Sequence, residues 1–69
     1  MTVIYNDGLY DARVYPSGSV VVSRTVGKLS SQVCEKGPQQ EWRDTNWRGC
    51  PPEIKRDIWL AWKKHTGID

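Results

Sequence analysis

Few side chains in this 69-residue sequence could act as a nucleophile or a base. The chain has one histidine, His65, and two cysteines, Cys34 and Cys50. His65 follows two lysines at the predicted end of a helix, where a cation usually complements the helix dipole. The cysteines have no CxxC spacing and no neighbouring histidine, so they fit neither a zinc site nor a thioredoxin-like motif. We expect two free thiols and no metal, although the sequence leaves a Cys34–Cys50 disulfide open.

A pair of acids gives the other candidate for chemistry. Glu53 and Asp57 are four residues apart, which places them on one helix face. Lys55 and Arg56 lie between them, so a solvated, salt-bridged surface is the favoured interpretation. The glycines form neither a GxGxxG nor a GxxxxGK phosphate loop. The sequence therefore predicts a protein that is not an enzyme and that has no cofactor.

Tryptophan is crowded into the C-terminal half of the chain. Trp42, Trp47, Trp59 and Trp62 fall within a short stretch, and the chain has no phenylalanine. Tryptophan is enriched both in small cores and at the anchor points of protein interfaces. A domain of this size needs only one or two in its core. The surplus predicts a surface that binds something.

Basic residues alternate with these tryptophans, and the mixture is open to several interpretations. The first is a protein-binding surface, for which we predict Trp59, Leu60, Lys55, Lys63, Trp47 and Arg48. The alternative is a nucleic-acid-binding surface, in which bases stack on the rings and phosphates meet Arg43, Arg48, Lys55, Arg56, Lys63 and Lys64. A third is that Trp59 and Leu60 are buried in a homodimer. A purely structural role remains open for Trp42 and Trp47, which would then close over the end of the sheet with arginines on their faces.

The composition limits the class of protein. With 38% hydrophobic and 26% charged residues, the sequence is typical of a folded domain. Residues 1–69 predict one small domain, near the size at which a single core is marginal, so a homodimer is expected. The net charge of +2 is far below the dense positive field of most nucleic-acid-binding proteins. The absence of an apolar leader or membrane-spanning stretch predicts a cytoplasmic protein.

Residues 2–26 alternate in hydrophobicity as strands do, and two turn signals interrupt them. Asp7-Gly8 predicts a two-residue type I′ turn, which would pair Tyr5 with Tyr10 and Val3 with Ala12. Pro16-Ser17-Gly18 predicts a longer loop with a glycine bulge. The result is a three-stranded antiparallel meander with one apolar face, made of Val3, Tyr5, Tyr10, Ala12, Val14, Val20 and Val22.

The rest of the chain predicts a connection and then a helix. Residues 27–50 are polar and aperiodic, with a short helix near 39–47. Residues 52–66 predict a helix that begins at a proline pair and ends before Gly67. Its sheet-facing stripe is Ile54, Ile58, Ala61, Trp62 and His65. Trp59 lies about 110° from the centre of that stripe, at 100° per residue, and Leu60 lies farther round, so neither can face the sheet.

The predicted fold is thus α+β, with one helix packed on a three-stranded antiparallel sheet. This order of elements resembles that of AP2-type domains and of the arm-binding domains of phage integrases, which bind DNA through the sheet. Here the strands carry only Arg13 and Arg24 as cations, so the likeness is confined to element order. We expect a non-enzymatic module that covers the surface of another protein. Accessory inhibitors made by phages and mobile elements act in this way, and anti-CRISPR and other host-takeover inhibitors are examples.

Overall fold

The computed structural model describes residues 1–67, which form an α+β fold with one antiparallel sheet and one C-terminal helix. The sheet has four strands in the order β1-β2-β3-β4, so the predicted class is confirmed and the predicted strand number is wrong. The elements are β1 (Thr2–Asn6), β2 (Tyr10–Val14), β3 (Val20–Val26), β4 (Leu29–Lys36), a turn of 3-10 helix (Trp42–Asp44) and α1 (Pro52–Thr66).

The fourth strand occupies part of the segment that was predicted to be an irregular connection. Gly27 has a positive φ of 60°, and with the next residue it forms a tight link between β3 and β4. The β3–β4 register shifts where Val22 pairs with Cys34 but Ser23 pairs with Gln32, which leaves Val33 as an extra residue. Because of this bulge Val33 and Cys34 are both buried, and the alternation that identifies a strand is lost.

The pairing of β1 with β2 also differs from the prediction. Tyr5 pairs with Ala12, where Tyr10 was predicted, and Val3 pairs with Arg13, where Ala12 was predicted. The register shifts between Val3 and Tyr5, which is a bulge in β1. Val3 is 50% exposed as a result, so its predicted place on the apolar face is wrong.

The loop after β1 explains the change of register. A type I′ turn needs a positive φ at both central residues, and in the described part of the chain only glycines have one. The Asp7 carboxylate instead accepts hydrogen bonds from the backbone N–H groups of Leu9 and Tyr10, at 2.9 and 2.7 Å. An aspartate-stabilised loop of three residues, 7–9, therefore replaces the predicted two-residue turn.

The pairing of β2 with β3 is as predicted. Val14 pairs with Val20 and Ala12 pairs with Val22. Gly18 has a φ of 96°, as the glycine bulge requires.

The core lies between the sheet and the elements that cover one face of it. Ile58 of α1 is completely buried, and it belongs to one cluster with Tyr10, Ala12, Val20, Val22, Val33, Cys34 and Cys50. Partly buried side chains pack around that cluster: Ile4, Tyr5, Val14, Trp42, Trp47, Ile54 and Trp62.

The helix has the bounds that the sequence predicted. It begins at Pro52 and ends at Thr66, and the N–H of Gly67 donates a hydrogen bond to the carbonyl of Lys63. The predicted position of His65 is wrong, because this residue is exposed and not on the buried stripe. A polar ring at the last turn of the helix is better solvated by water than by an apolar core. The short helix predicted near 39–47 is reduced to one 3-10 turn, Trp42–Asp44.

Candidate binding surface

Three of the four tryptophans pack against one another. The rings of Trp42 and Trp47 are stacked, with centroids 5.7 Å apart and planes 21° from parallel. Trp62 of α1 meets Trp42 edge-on, at 5.7 Å and 77°. All three are half-buried against the core. The sequence left open whether Trp42 and Trp47 belong to the core or to the surface. Both rings close the core and also present ring surface to solvent.

The cations that lie over these rings are lysines, whereas the structural alternative placed arginines there. The Lys36 Nζ lies 4.8 Å from the centroid of Trp62 and 5.7 Å from that of Trp42. The Lys55 Nζ lies 5.9 Å from the centroid of Trp47. Cation–π contacts of this kind stabilise a ring in one orientation by about 0.5–1 kcal/mol at exposed sites.

Trp59 is placed differently from the other three tryptophans. It lies on the outer side of α1 and is 40% exposed, and the next residue, Leu60, is 45% exposed. The Lys63 Nζ lies 4.4 Å above its ring, one helical turn along the chain. The lysine covers one region of the ring, and much of the rest is accessible to a partner.

Trp59 stands between two open grooves. The larger has a volume of about 540 Å³, and the smaller about 320 Å³. Both are lined by Trp42, Arg43 and Trp59. The larger groove continues to Lys36 and Trp62, and the smaller one to Trp47, Lys55 and Arg56. We call these two grooves and the residues that line them the Trp59 surface.

The structure brings together some of the predicted binding residues and separates others. Trp47, Lys55, Arg43 and Arg56 all line the Trp59 surface, and Lys63 lies beside it on Trp59. Leu60 and Lys64 are exposed but line neither groove.

Arg48 lies elsewhere, although it was predicted to adjoin Trp59. It lines two separate hollows next to β4, which it shares with Gln32 and Val33. Its backbone N–H donates to the carbonyl of Val33 at 3.1 Å, and this bond ties the connection to the strand. Arg48 lies on this side of the molecule because its backbone is hydrogen-bonded to β4, a strand that the sequence did not predict.

Lys36 is a residue of this surface that the sequence analysis did not find. Its exposed fraction is 4%, and its Nζ donates a hydrogen bond to the carbonyl of Gly37 at 3.3 Å. Burial lowers the pKa of this ammonium group from its ordinary value. The sequence could have indicated Lys36 only through β4, because Lys36 is the last residue of that strand. The bulge at Val33 breaks the alternation by which β4 would be recognised.

One ion pair stands at the edge of the surface. Arg43 Nε lies 2.7 Å from a carboxylate oxygen of Glu41, but both side chains are largely exposed. Exposed pairs contribute little stability, about 0–1 kcal/mol, so Arg43 can exchange this partner for another at small cost.

The two cysteines that were considered for catalysis both belong to the core cluster. Cys34 and Cys50 are buried free thiols, and burial raises the pKa of each. Within residues 1–67 there is no group of three or more histidine, cysteine or acidic side chains that could hold a metal ion. Over the same residues, no helix has the length and apolar character needed to cross a membrane.

Comparisons with protein-family models, with curated proteins and with solved structures find no match to this chain. Arguments about its function therefore depend on the fold and on the Trp59 surface.

Proposed function

We propose that this chain is a non-enzymatic module that binds another protein through the Trp59 surface. The observation that carries the proposal is the position of Trp59, which is 40% exposed on the wall shared by two grooves. Tryptophan and arginine are the residues most enriched among the energetic hot spots of protein interfaces. Trp59 and Arg43 line the same two grooves.

Contacts within the chain support the aromatic side chains of this surface. Lys63 restrains the ring of Trp59, and the stacked pair of Trp42 and Trp47 forms part of the groove walls. Side chains that are already ordered lose little conformational entropy on binding, which would otherwise cost about 0.5–1.5 kcal/mol for each flexible one. A rigid aromatic surface with lysines and arginines around it is well suited to a protein partner.

The mode of action that we propose is occlusion of the partner's surface. The effect on the partner comes from contact at the Trp59 surface, where Trp59, Trp42 and Arg43 line both grooves. Accessory inhibitors of phages and other mobile elements, such as anti-CRISPR proteins, work in this manner, and we propose this class for the chain.

Affinity capture with matched variants tests the proposal. Tagged wild type, Trp59→Ala and Leu29→Ala are each incubated with nuclease-treated lysate of the source or its host. Leu29 is a suitable control because it is an apolar side chain, 78% exposed, at the opposite end of β4 from Lys36. We expect a protein that wild type and Leu29→Ala retain and Trp59→Ala loses by at least tenfold, about 1.4 kcal/mol. Equal recovery by all three proteins would contradict the proposal.

A second candidate function is binding of single-stranded nucleic acid. It is favoured by the smaller groove, where three cations, Arg43, Lys55 and Arg56, adjoin Trp42, Trp47 and Trp59. Bases stack on such rings for about 1–3 kcal/mol each, and cations contact the phosphates. Fluorescence anisotropy with labelled oligonucleotides from 50 to 200 mM salt tests it. This candidate requires an affinity that falls steeply with salt and with Trp59→Ala.

A further inference from the structure

Lys36 is buried, and no carboxylate within residues 1–67 forms an ion pair with it. It is the last residue of β4 and pairs with Val20 in the sheet. The ion pairs found within residues 1–67 join Arg13 to Asp11 and Arg43 to Glu41, and neither involves Lys36. Removing a lone ammonium from water is energetically costly, and the two tryptophan rings offset only part of that cost.

Two hydrogen-bond donors beside the larger groove lack acceptors among the described residues. An ammonium group has three N–H donors and no acceptor, and among the described residues Lys36 uses one of them, on Gly37. The Nε1–H of Trp42 is buried and has no acceptor within the described chain. Both residues line the larger groove. What the site lacks is a group that only accepts hydrogen bonds and carries negative charge.

The charged side chains around the larger groove also favour a negatively charged ligand. Arg43 lines the larger groove, and Lys63 lies beside it on Trp59. Glu41 is the one carboxylate among the residues that line this groove, and its charge is paired with Arg43, whose Nε lies 2.7 Å from Glu41 Oε2. The larger groove is therefore complementary to an anion that lies next to apolar surface.

We propose that the larger groove binds an acidic segment of a partner protein, with one aspartate or glutamate carboxylate on the Lys36 ammonium. A neighbouring apolar or aromatic side chain of the same segment packs on Trp59. This inference rests on the proposed function, because it names the chemistry of the partner at the same surface.

A protein carboxylate fits this groove better than the phosphates of a nucleic acid. A strand of phosphates needs a row of cations, whereas the larger groove is lined by only two, Lys36 and Arg43, and Arg43 already pairs with Glu41. The side chain of Gln40, which could recognise a base edge, is already committed. Its Oε1 accepts from the N–H of Gly37 at 3.1 Å, and its Nε2 donates to the carbonyl of Asp44 at 3.0 Å.

Two capped peptides test the proposal with the wild-type protein. One is a short peptide of glutamate, aspartate and phenylalanine. The other has the same order with glutamine and asparagine in place of the acids. Binding is measured by titration while the indole N–H signals of ¹⁵N-labelled protein are followed by NMR, each assigned with a Trp→Phe variant. We expect the acidic peptide to bind at least tenfold more tightly than the amide peptide and to shift the signals of Trp42 and Trp62.

A variant of Lys36 separates a ligand-binding role from a structural one. Lys36→Met keeps an unbranched apolar stem against the rings and removes the charge. We expect its thermal midpoint to equal or exceed that of wild type, and its preference for the acidic peptide to disappear. If Lys36 only supports the fold, the variant loses stability and keeps the preference.

Some outcomes would overturn the inference about the carboxylate, and a comparison of two variants separates that inference from the proposed function. Equal affinity for the two peptides, no binding of the acidic peptide at millimolar concentration, or tighter binding of a single-stranded oligonucleotide than of the acidic peptide would each overturn the inference. If Trp59→Ala loses the captured partner while Lys36→Met keeps it, the proposed function stands and the inference about the carboxylate fails. If both variants keep the partner, the proposed function fails as well.

Discussion

Trp59 and Trp62 are three residues apart on one helix, yet their surroundings differ. Trp62 packs edge-on against Trp42 and lies under the Lys36 ammonium. Trp59 has Lys63 over its ring and is 40% exposed. The same side chain therefore stabilises the fold at one position and is available for contact at the other.

This contrast gives a prediction at the residue scale. Trp62→Ala removes a ring that packs against the core, so we expect a loss of at least about 2 kcal/mol, somewhat below the 3–5 typical of fully buried tryptophan. Trp59→Ala should change the free energy of unfolding by less than about 1 kcal/mol, because much of its ring is already in water. Urea unfolding followed by circular dichroism measures both. Equal losses would mean that Trp59 belongs to the core.

The binding surface could be predicted only in part at this scale. The helical periodicity correctly placed Trp59 outside the sheet-facing stripe, since the position of a residue around a helix depends on number alone. The same reasoning could not find Lys36, whose importance comes from contacts with Trp42 and Trp62 that are distant in sequence. Arg48 was misplaced for a related reason, because its position depends on the backbone of β4.

At the scale of elements, local signals determined what the sequence could predict. The helix has its proline start and glycine end next to its periodic residues, and its bounds were correct. The β2–β3 hairpin was correct because Gly18 and Pro16 specify the loop. β4 was missed because its bulge at Val33 breaks the alternation, and because its first half is polar and exposed.

Gly18 offers a matched test of the β2–β3 loop. Its φ is 96°, and an added Cβ would lie 3.1 Å from the Cβ of Pro38. Gly37 has no positive φ of this kind, and its added Cβ would meet only the Gln40 side chain, at 3.8 Å. We expect Gly18→Ala to lower the free energy of unfolding by about 1–3 kcal/mol, and Gly18→Val by more. Gly37→Ala should change it by less than about 1 kcal/mol.

The denaturant midpoints of these variants check the prediction. Similar midpoints for Gly18→Ala and Gly37→Ala would show that the loop tolerates a side chain, and the proposed strain at Gly18 would be wrong.

Asp7 makes the β1–β2 loop sensitive to acid. The backbone N–H groups of Tyr10 and Leu9 hold the pKa of this carboxyl below its ordinary value. The stability that it contributes is therefore present above the pKa of an unfolded aspartate, about 3.9, and is lost as the pH falls through the lower folded value.

Two substitutions at this position separate charge from geometry. Asp7→Asn keeps an oxygen that can accept the N–H groups but removes the charge, so it should flatten the acid dependence of stability. Asp7→Ala should in addition lower stability at pH 7, by up to about 1 kcal/mol for an exposed loop. Urea unfolding at pH 7 and pH 3 measures both effects. If the stability of Asp7→Asn depends on acid as strongly as that of wild type, other carboxylates cause the dependence and the prediction is wrong.

At the scale of the whole molecule, charge is concentrated on one side. Five of the ten lysines and arginines line or flank the Trp59 surface: Lys36, Arg43, Lys55, Arg56 and Lys63. Glu41 is the one acid among the residues that line its two grooves. The modest net charge therefore conceals a local field that attracts acidic partners, and association should slow as salt rises.

The exposed apolar residues leave self-association as the competing account. Leu60 is 45% exposed on α1, and Val26 and Leu29 are 55% and 78% exposed at the β3–β4 turn. A homodimer through either region would bury these side chains and use no other protein. The proposal that this chain binds another protein therefore depends on which molecule contacts Trp59.

Photo-crosslinking at position 59 tests that claim most directly. Benzoyl-phenylalanine, which keeps a large aromatic side chain in place of the indole, is incorporated at position 59 in one variant and at position 29 in the control, and both are irradiated in cells of the source or its host. The account predicts an adduct from position 59 that contains a second, different protein, survives nuclease treatment and is absent from position 29. An adduct of two copies of this chain, an adduct that nuclease removes, or no adduct at position 59 would contradict it.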